Sequence, residues 1–288
     1  MAQPLQKPVQ CACAAVAAVL LSFNLYAKKP LTGADFSKAA PNDVKAPVVL
    51  WLENHYAGSG RDELARRMNG LKNTGHGALV LERLNGIAAY SDSSNAYVLQ
   101  PSDTLSEWLN STLLELSKEE GASYESNSHA RLFFGARQCG MKIAGLWQDA
   151  GLGIDADYKL RVQDSAYAER IARIALEGSG KIDGLFGARH IRIKSLLSAK
   201  GVEAAAILLL EPAESMAEEE KRDGSAADER FVDSVEKPIL KLGLAPGFYK
   251  APAGFYSDYL LVIDRRAPRP PMPPVARPKF YNYMRNEK

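Results

Sequence analysis

Short apolar runs of strand length recur along this chain and alternate with stretches of helical period, and that rhythm narrows the choice of fold more than any other feature. Residues 48–52 form an unbroken apolar run, as expected of a strand buried on both faces. Residues 61–72 place Leu64, Met68 and Leu71 on one helical face, with Gly75 as a stop. Further strand-length runs follow at 78–81, 142–147, 182–186, 204–210 and 259–263. Helical spacing separates them. Leu105, Trp108, Leu109 and Leu113 share a face within 102–118, and a shorter helix is expected over 130–138. Tyr167, Ile171, Ile174 and Ala175 share one within 165–177, and a helix over 191–199 is capped by Gly201. Strand alternating with helix predicts an α/β fold, a mostly parallel sheet with helices on both faces.

The ends of the chain depart from that rhythm. Residues 1–10 are polar and carry Lys7, residues 11–23 are nearly all apolar, and Ala27 precedes Lys28 and Lys29. That order is the one a secretory signal has, and the apolar run is short for a membrane span of roughly 20 residues. Residues 1–27 are therefore read as a cleaved signal peptide, with a retained N-terminal anchor and a buried cytosolic helix as alternatives. An exported protein, periplasmic or extracellular, is the corresponding expectation, touching a membrane only through an uncleaved N-terminus. Residues 28–45 read as a polar linker and 46–266 as a single α/β domain. Residues 211–230 are charge-dense and are expected as an exposed excursion, and 267–288 as an extended tail rich in proline and arginine.

Charge and cysteine content narrow the function classes. The 36 basic and 34 acidic residues leave a formal charge of +2, which implies no general attraction to nucleic acid. Cys11 and Cys13 lie in the signal-like segment, so Cys139 alone remains for the mature domain. It can form no intrachain disulfide, and no zinc-type Cys/His spacing exists. Its environment, a helix end before a strand, suits a small buried residue better than a nucleophile.

Three strands end in groups that can share a proton or a metal. The first runs into Glu53 and His55, the second into Glu82, and the fourth into Gly187-Ala188-Arg189-His190. In open α/β sheets ligands bind outside the carboxyl ends of the strands, so these groups are expected at one crevice. Glu53 and His55, two apart, would face the same side of a continuing strand. Gly187 would let the chain bend sharply before His190. A carboxylate beside an imidazole serves as a general base, or holds zinc, manganese or iron that lowers the pKa of a bound water. Glu53, His55 and His190 are the expected metal ligands. Taken singly, a Glu at a strand end is ordinarily a solvated loop residue and a His a satisfied polar group; the set carries the inference. His76 reads as a turn residue and His129 as a helix-cap residue. No Gly-x-Ser-x-Gly elbow, Walker A loop or dinucleotide fingerprint is present.

The ordered motifs VVLWLENH, HGALVLERL, ARLFFGARQCGMKIAGLWQD, RVQDSAYAERIARI and IDGLFGARHIRIKSLLSAKG resemble a superfamily. It groups ChaN-like haem-binding lipoproteins, erythromycin esterases and TraB/TIKI-type metalloproteases. The resemblance spans about residues 47–210. It implies Glu53, His55, Glu82 and His190 as the functional core, with Asp149 and Arg161 in support. Two positions depart from the pattern: Leu52 stands where a glycine commonly precedes the first Glu, and no second His closely follows His55. The leading expectation is an exported hydrolase of ester or peptide bonds, acting on a small molecule or peptide. The alternative is a non-catalytic envelope protein binding haem, with Tyr56, Tyr90 and Tyr124 as possible axial partners. A third reading keeps the motif only as a polar network that stabilises the fold.

Overall fold

The computed structural model describes residues 30–53, 58–82, 97–99, 123–146, 156–178, 180–211, 235–264 and 266–271. The signal-like segment, the 102–118 helix, the excursion beyond Glu211 and the tail beyond 271 lie outside the described residues.

Nine strands form one sheet among the described residues: β1 (Ser37–Lys38), β2 (Val48–Glu53), β3 (His76–Leu81), β4 (Tyr97–Leu99), β5 (Lys142–Gly145), β6 (Lys181–Gly187), β7 (Ala204–Leu210), β8 (Gly247–Lys250) and β9 (Tyr259–Val262). Their order is β1-β8-β9-β7-β2-β6-β3-β5-β4. From β9 across to β5 every neighbouring pair is parallel. Antiparallel β8, β1 and β4 close the two edges. The sheet is mostly parallel, as the alternation predicts.

Helices cover both faces, which explains why β2 and β7 read as continuous apolar runs: every residue in each is buried. Helices α1 (Ser59–Asn73) and α2 (Ser123–Gln138) place Leu64, Met68, Leu132 and Phe133 against Val49, Trp51, Leu79, Leu81 and Leu185. On the opposite face lie α3 (Ala156–Leu176), α4 (Arg192–Ala199) and the single turn α5 (Lys237–Leu240). There Tyr167, Ile171, Ile193 and Ile239 meet Val48, Leu50, Val80, Phe186 and Leu208. Odd-numbered residues of β2, of β6 and of β3 from Ala78 onward therefore face α1 and α2, and even-numbered ones face α3 and α4; the register of β3 shifts between His76 and Ala78.

A glycine in the middle of β6 follows from that crowding. A Cβ on Gly184 would lie 2.5 Å from the Phe186 ring and 3.1 Å from a Val80 methyl, so neighbouring side chains already fill its place. One residue away, Asp183 is buried in the core and satisfied from two sides. Trp51 Nε1 donates to its Oδ1 at 2.8 Å, and His76 Nδ1 lies 2.7 Å from its Oδ2.

Several expectations are revised here. Residues 30–45, expected as a linker, carry β1 and two 3₁₀ turns, and bury Phe36 and Val44. Strand β8 was not anticipated, because its four residues sit among glycines and prolines and both Phe248 and Tyr249 are buried, leaving no period-two pattern. Strand β4 was also not anticipated. Helix α3 begins nine residues earlier than the periodicity indicates, at Ala156 rather than 165.

Candidate functional site at the carboxyl edge of the sheet

Glu82 directly follows β3, and by strand parity its side chain joins the face covered by α3 and α4. His190 lies in the 3₁₀ turn Ala188–Ile191 that links β6 to α4. The two meet. His190 Nε2 is 2.9 Å from Glu82 Oε1, and Nδ1 on the other side of the ring is 2.6 Å from Asp164 Oδ1 of α3. The backbone N–H of Gly187 donates to Glu82 Oε2 at 2.8 Å. Gly187 has φ −56°, which any residue adopts, so its contribution is this donor and not the sharp bend expected of it. Tyr167 and Phe186 wall the imidazole, with ring centroids 5.6 and 6.1 Å away. Asp164 is 1% exposed and His190 4%.

That geometry decides the charge of His190. Burial alone would lower the pKa of an imidazolium, but Glu82 and Asp164, by charge and by hydrogen bond, outweigh it and raise the pKa to about 10. At neutral pH the ring is an imidazolium donating from both nitrogens, one to each carboxylate.

Beyond the chain Glu82–His190–Asp164 lies a second group of ionisable residues. The Tyr256 hydroxyl donates to the Ala188 carbonyl, two residues before His190. Burial pushes its pKa up, the charges of Asp164 and Glu236 push it further, and Arg189 opposes them. Glu236 is buried, and burial followed by the charge of Glu211 raises its pKa to about 7.

The single cluster expected from the sequence is divided by the sheet. Glu53 ends β2 on the α1/α2 face, where its Oε1 accepts from Arg61 Nε at 3.0 Å. Arg61 is fully buried and its Nη1 donates to Ser128 Oγ at 3.1 Å, joining α1 to α2. A Cβ on Gly60 would stand 3.3 Å from Glu53 Oε2, so the carboxylate packs tightly against the start of α1. Glu53 thus enters a buried ion pair on the face opposite Glu82 and His190. His55 and Asp149 lie outside the described residues. Arg161 sits on α3 one turn before Asp164, half-buried, with no side-chain hydrogen bond or ion pair among the described residues. Asp164 is the member that sequence reasoning missed. Its signal was its place in the quoted segment RVQDSAYAERIARI, three residues after the arginine singled out there.

The remaining histidines and the thiol resolve differently. His76 opens β3 and is buried against Asp183 rather than exposed in a turn. His129 is buried within α2, its ring 5.9 Å from that of Phe133, and not at a helix cap. Cys139 packs against the core under α1 and α2, and burial raises its pKa against the opposing charge of Lys72. A thiol so placed is a poor nucleophile at neutral pH.

As for a metal, both nitrogens of His190 are committed to carboxylates, and Glu53 is committed to Arg61 across the sheet. Among the described residues no three His, Cys, Asp or Glu side chains are disposed to hold an ion. The expected set of Glu53, His55 and His190 does not fit a zinc, manganese or iron centre as these residues stand. For haem, Tyr56 and Tyr90 and the side chain of Tyr124 lie outside the described residues.

No family model matches the chain, and no curated protein matches it. Two solved structures do. The type III effector HopBA1 aligns at 12% identity with a TM-score of 0.50, covering 80% of this chain and 95% of that one. It shares the fold. A structure described as cofacial heme binding to ChaN of Campylobacter jejuni aligns at 12% identity with a TM-score of 0.38, over 60% of this chain and 87% of that one. No erythromycin esterase or TraB/TIKI protease is among these matches.

Proposed function

We propose that this protein is a hydrolase of ester or peptide bonds that uses Glu82, supported by His190 and Asp164, to activate water without a metal. The observation that carries the reading is the carboxylate–imidazolium–carboxylate chain at the carboxyl edge of a parallel sheet, where ligands of such sheets bind. Glu82 accepts the proton of a water molecule whose oxygen attacks the carbonyl carbon. The same proton then passes from Glu82 to the departing alcohol or amine as the carbonyl–heteroatom bond breaks. His190 holds Glu82 in one orientation and places a positive charge beside the developing oxyanion, and Asp164 keeps the imidazole charged and aligned. The substrate is a small molecule or a peptide. Export follows from the signal-like N-terminus, and N-terminal sequencing of the secreted protein would give the cleavage point.

The test is a panel of activated esters and peptides assayed with full-length protein dialysed against chelator, beside Glu82→Gln. Hydrolysis that survives chelation and falls by about 100-fold or more in the variant supports the reading. Hydrolysis abolished by chelation and restored by zinc, or unchanged in Glu82→Gln, overturns it. A Soret band on haem titration with no hydrolysis of any substrate would transfer the protein to the haem-binding alternative.

A further inference from the structure

The opposite edge of the sheet, where the parallel strands begin, carries a groove of about 700 Å³. It lies between residues 43–46 ahead of β2, the start of β7 and the β8–β9 connection, away from Glu82 and His190. Strand β9 starts late there. Its first residue, Tyr259, stands opposite Ile207, so Ala204, Ala205 and Ala206 of β7 lack a strand neighbour on that side. Asp258 substitutes at Ala206, accepting its N–H with Oδ2 at 2.8 Å and donating its own N–H to the Ala206 carbonyl at 3.0 Å. Main-chain groups of alternate strand residues point the same way, so the N–H and C=O of Ala204 also point away from β2. They face the groove that Ala204 lines, and among the described residues nothing bonds to them. Ala204 is only 9% exposed, and peptide groups so placed are ordinarily paired.

The charges around the groove narrow what fills it. Asp43 accepts from the Ala40 N–H at 2.7 Å, Lys45 donates to the Asn42 carbonyl at 2.8 Å, and Lys194 pairs with Asp258 at 2.5 Å. The side chains of Glu203 and Lys250 are exposed and have no hydrogen bond or ion pair among the described residues. A purely anionic ligand would meet Glu203 and a purely cationic one Lys250, whereas a ligand carrying both charges is matched. Ala46, Ala205, Ala251 and Ala253 keep the walls small.

We propose that this groove binds a short peptide in extended conformation, its main chain adding to β7 beside Ala204 and its terminal charges paired with Glu203 and Lys250. A peptide main chain supplies the acceptor and the donor that Ala204 lacks, and small side chains fit between the alanine walls. The groove does not rest on the hydrolase reading, since none of its lining residues belongs to the Glu82–His190–Asp164 chain.

Tetra-alanine with free termini is the probe, titrated into nitrogen-15-labelled full-length protein and followed at the backbone amides. Saturable shifts are expected at Ala204, Ala205 and Ala251, with a Kd of roughly 10 mM or tighter. Acetylating and amidating the peptide termini should weaken binding about 2- to 5-fold, and Lys250→Gln should do so by a similar factor, as for exposed ion pairs. Methylating the peptide's central amide nitrogens removes the donor for the Ala204 carbonyl and should weaken binding about 5-fold. No saturable shift at Ala204, shifts confined to Gly187 and His190, or equal affinity for the methylated or the blocked peptide overturns the proposal. The modified peptides leave the protein unchanged, so they decide even if Lys250→Gln fails to fold. Binding at Ala204 without hydrolysis of any substrate would remove only the hydrolase reading.

Discussion

Asp164 and Glu82 act on His190 from opposite sides, and removing Asp164 keeps the ion pair with Glu82 but leaves the Nδ1–H donor without its acceptor. An unsatisfied buried donor costs about 1–3 kcal/mol. Asp164→Ala should lose that much in urea denaturation at pH 7, whereas Arg161→Ala, one turn away and without a partner among the described residues, should lose under about 1 kcal/mol. Equal losses would show that the 2.6 Å contact between His190 and Asp164 does not govern the stability of this edge. The sequence pointed to Glu82 and His190 because each follows an apolar run at a strand end. It could not reveal Asp164, whose pairing with His190 spans 26 residues and depends on how α3 crosses the sheet. The reverse happened with Glu53. Its strand-end position looked equivalent to that of Glu82, but strand parity sends it to the other face and to Arg61.

Among the elements, β6 is the most heavily constrained. It carries Gly184 where a side chain would clash, Asp183 where a buried carboxylate needs two donors, and the turn that positions His190. Trp51→Phe keeps most of the ring volume and removes the indole donor, so Asp183 Oδ1 loses its 2.8 Å partner. An unsatisfied buried acceptor costs about 1–3 kcal/mol, to be read as a lowered urea midpoint with unchanged slope. No loss would mean that water or a rearranged His76 replaces the bond. Central strands were legible because burial on both faces leaves unbroken apolar runs, as in β2 and β7. Edge strands β1, β4 and β8 were not, since two to four residues among turn formers carry too little pattern. The start of α3 was lost for a related reason: the polar stretch before Ser165 shows no apolar face at helical spacing.

For the whole molecule, ionisation makes stability fall on the alkaline side. His190 has a folded pKa of about 10 against 6.5 for a free imidazole, so its contribution is fully present below pH 6.5 and is lost as pH rises towards 10. One proton of difference corresponds to a slope of about 1.4 kcal/mol per pH unit within that window. Unfolding free energies at pH 7, 8 and 9 should decline accordingly in the wild type. His190→Gln, which carries no charge, should be less stable at pH 7 and nearly flat across the range. A wild type whose stability is level from pH 7 to 9 would mean that the imidazole is neutral in the folded protein.

Nitrogen NMR of the His190 ring in full-length protein reads protonation and metal binding at the same atoms. Imidazolium signals are expected at both Nδ1 and Nε2 from pH 6 to 9, with a midpoint near 10 and no change when zinc is added. Deprotonation near pH 6.5, with an Nε2 signal that shifts on zinc addition, would contradict this expectation. His190 would then be a metal ligand and Glu82 its neighbour in a metal site.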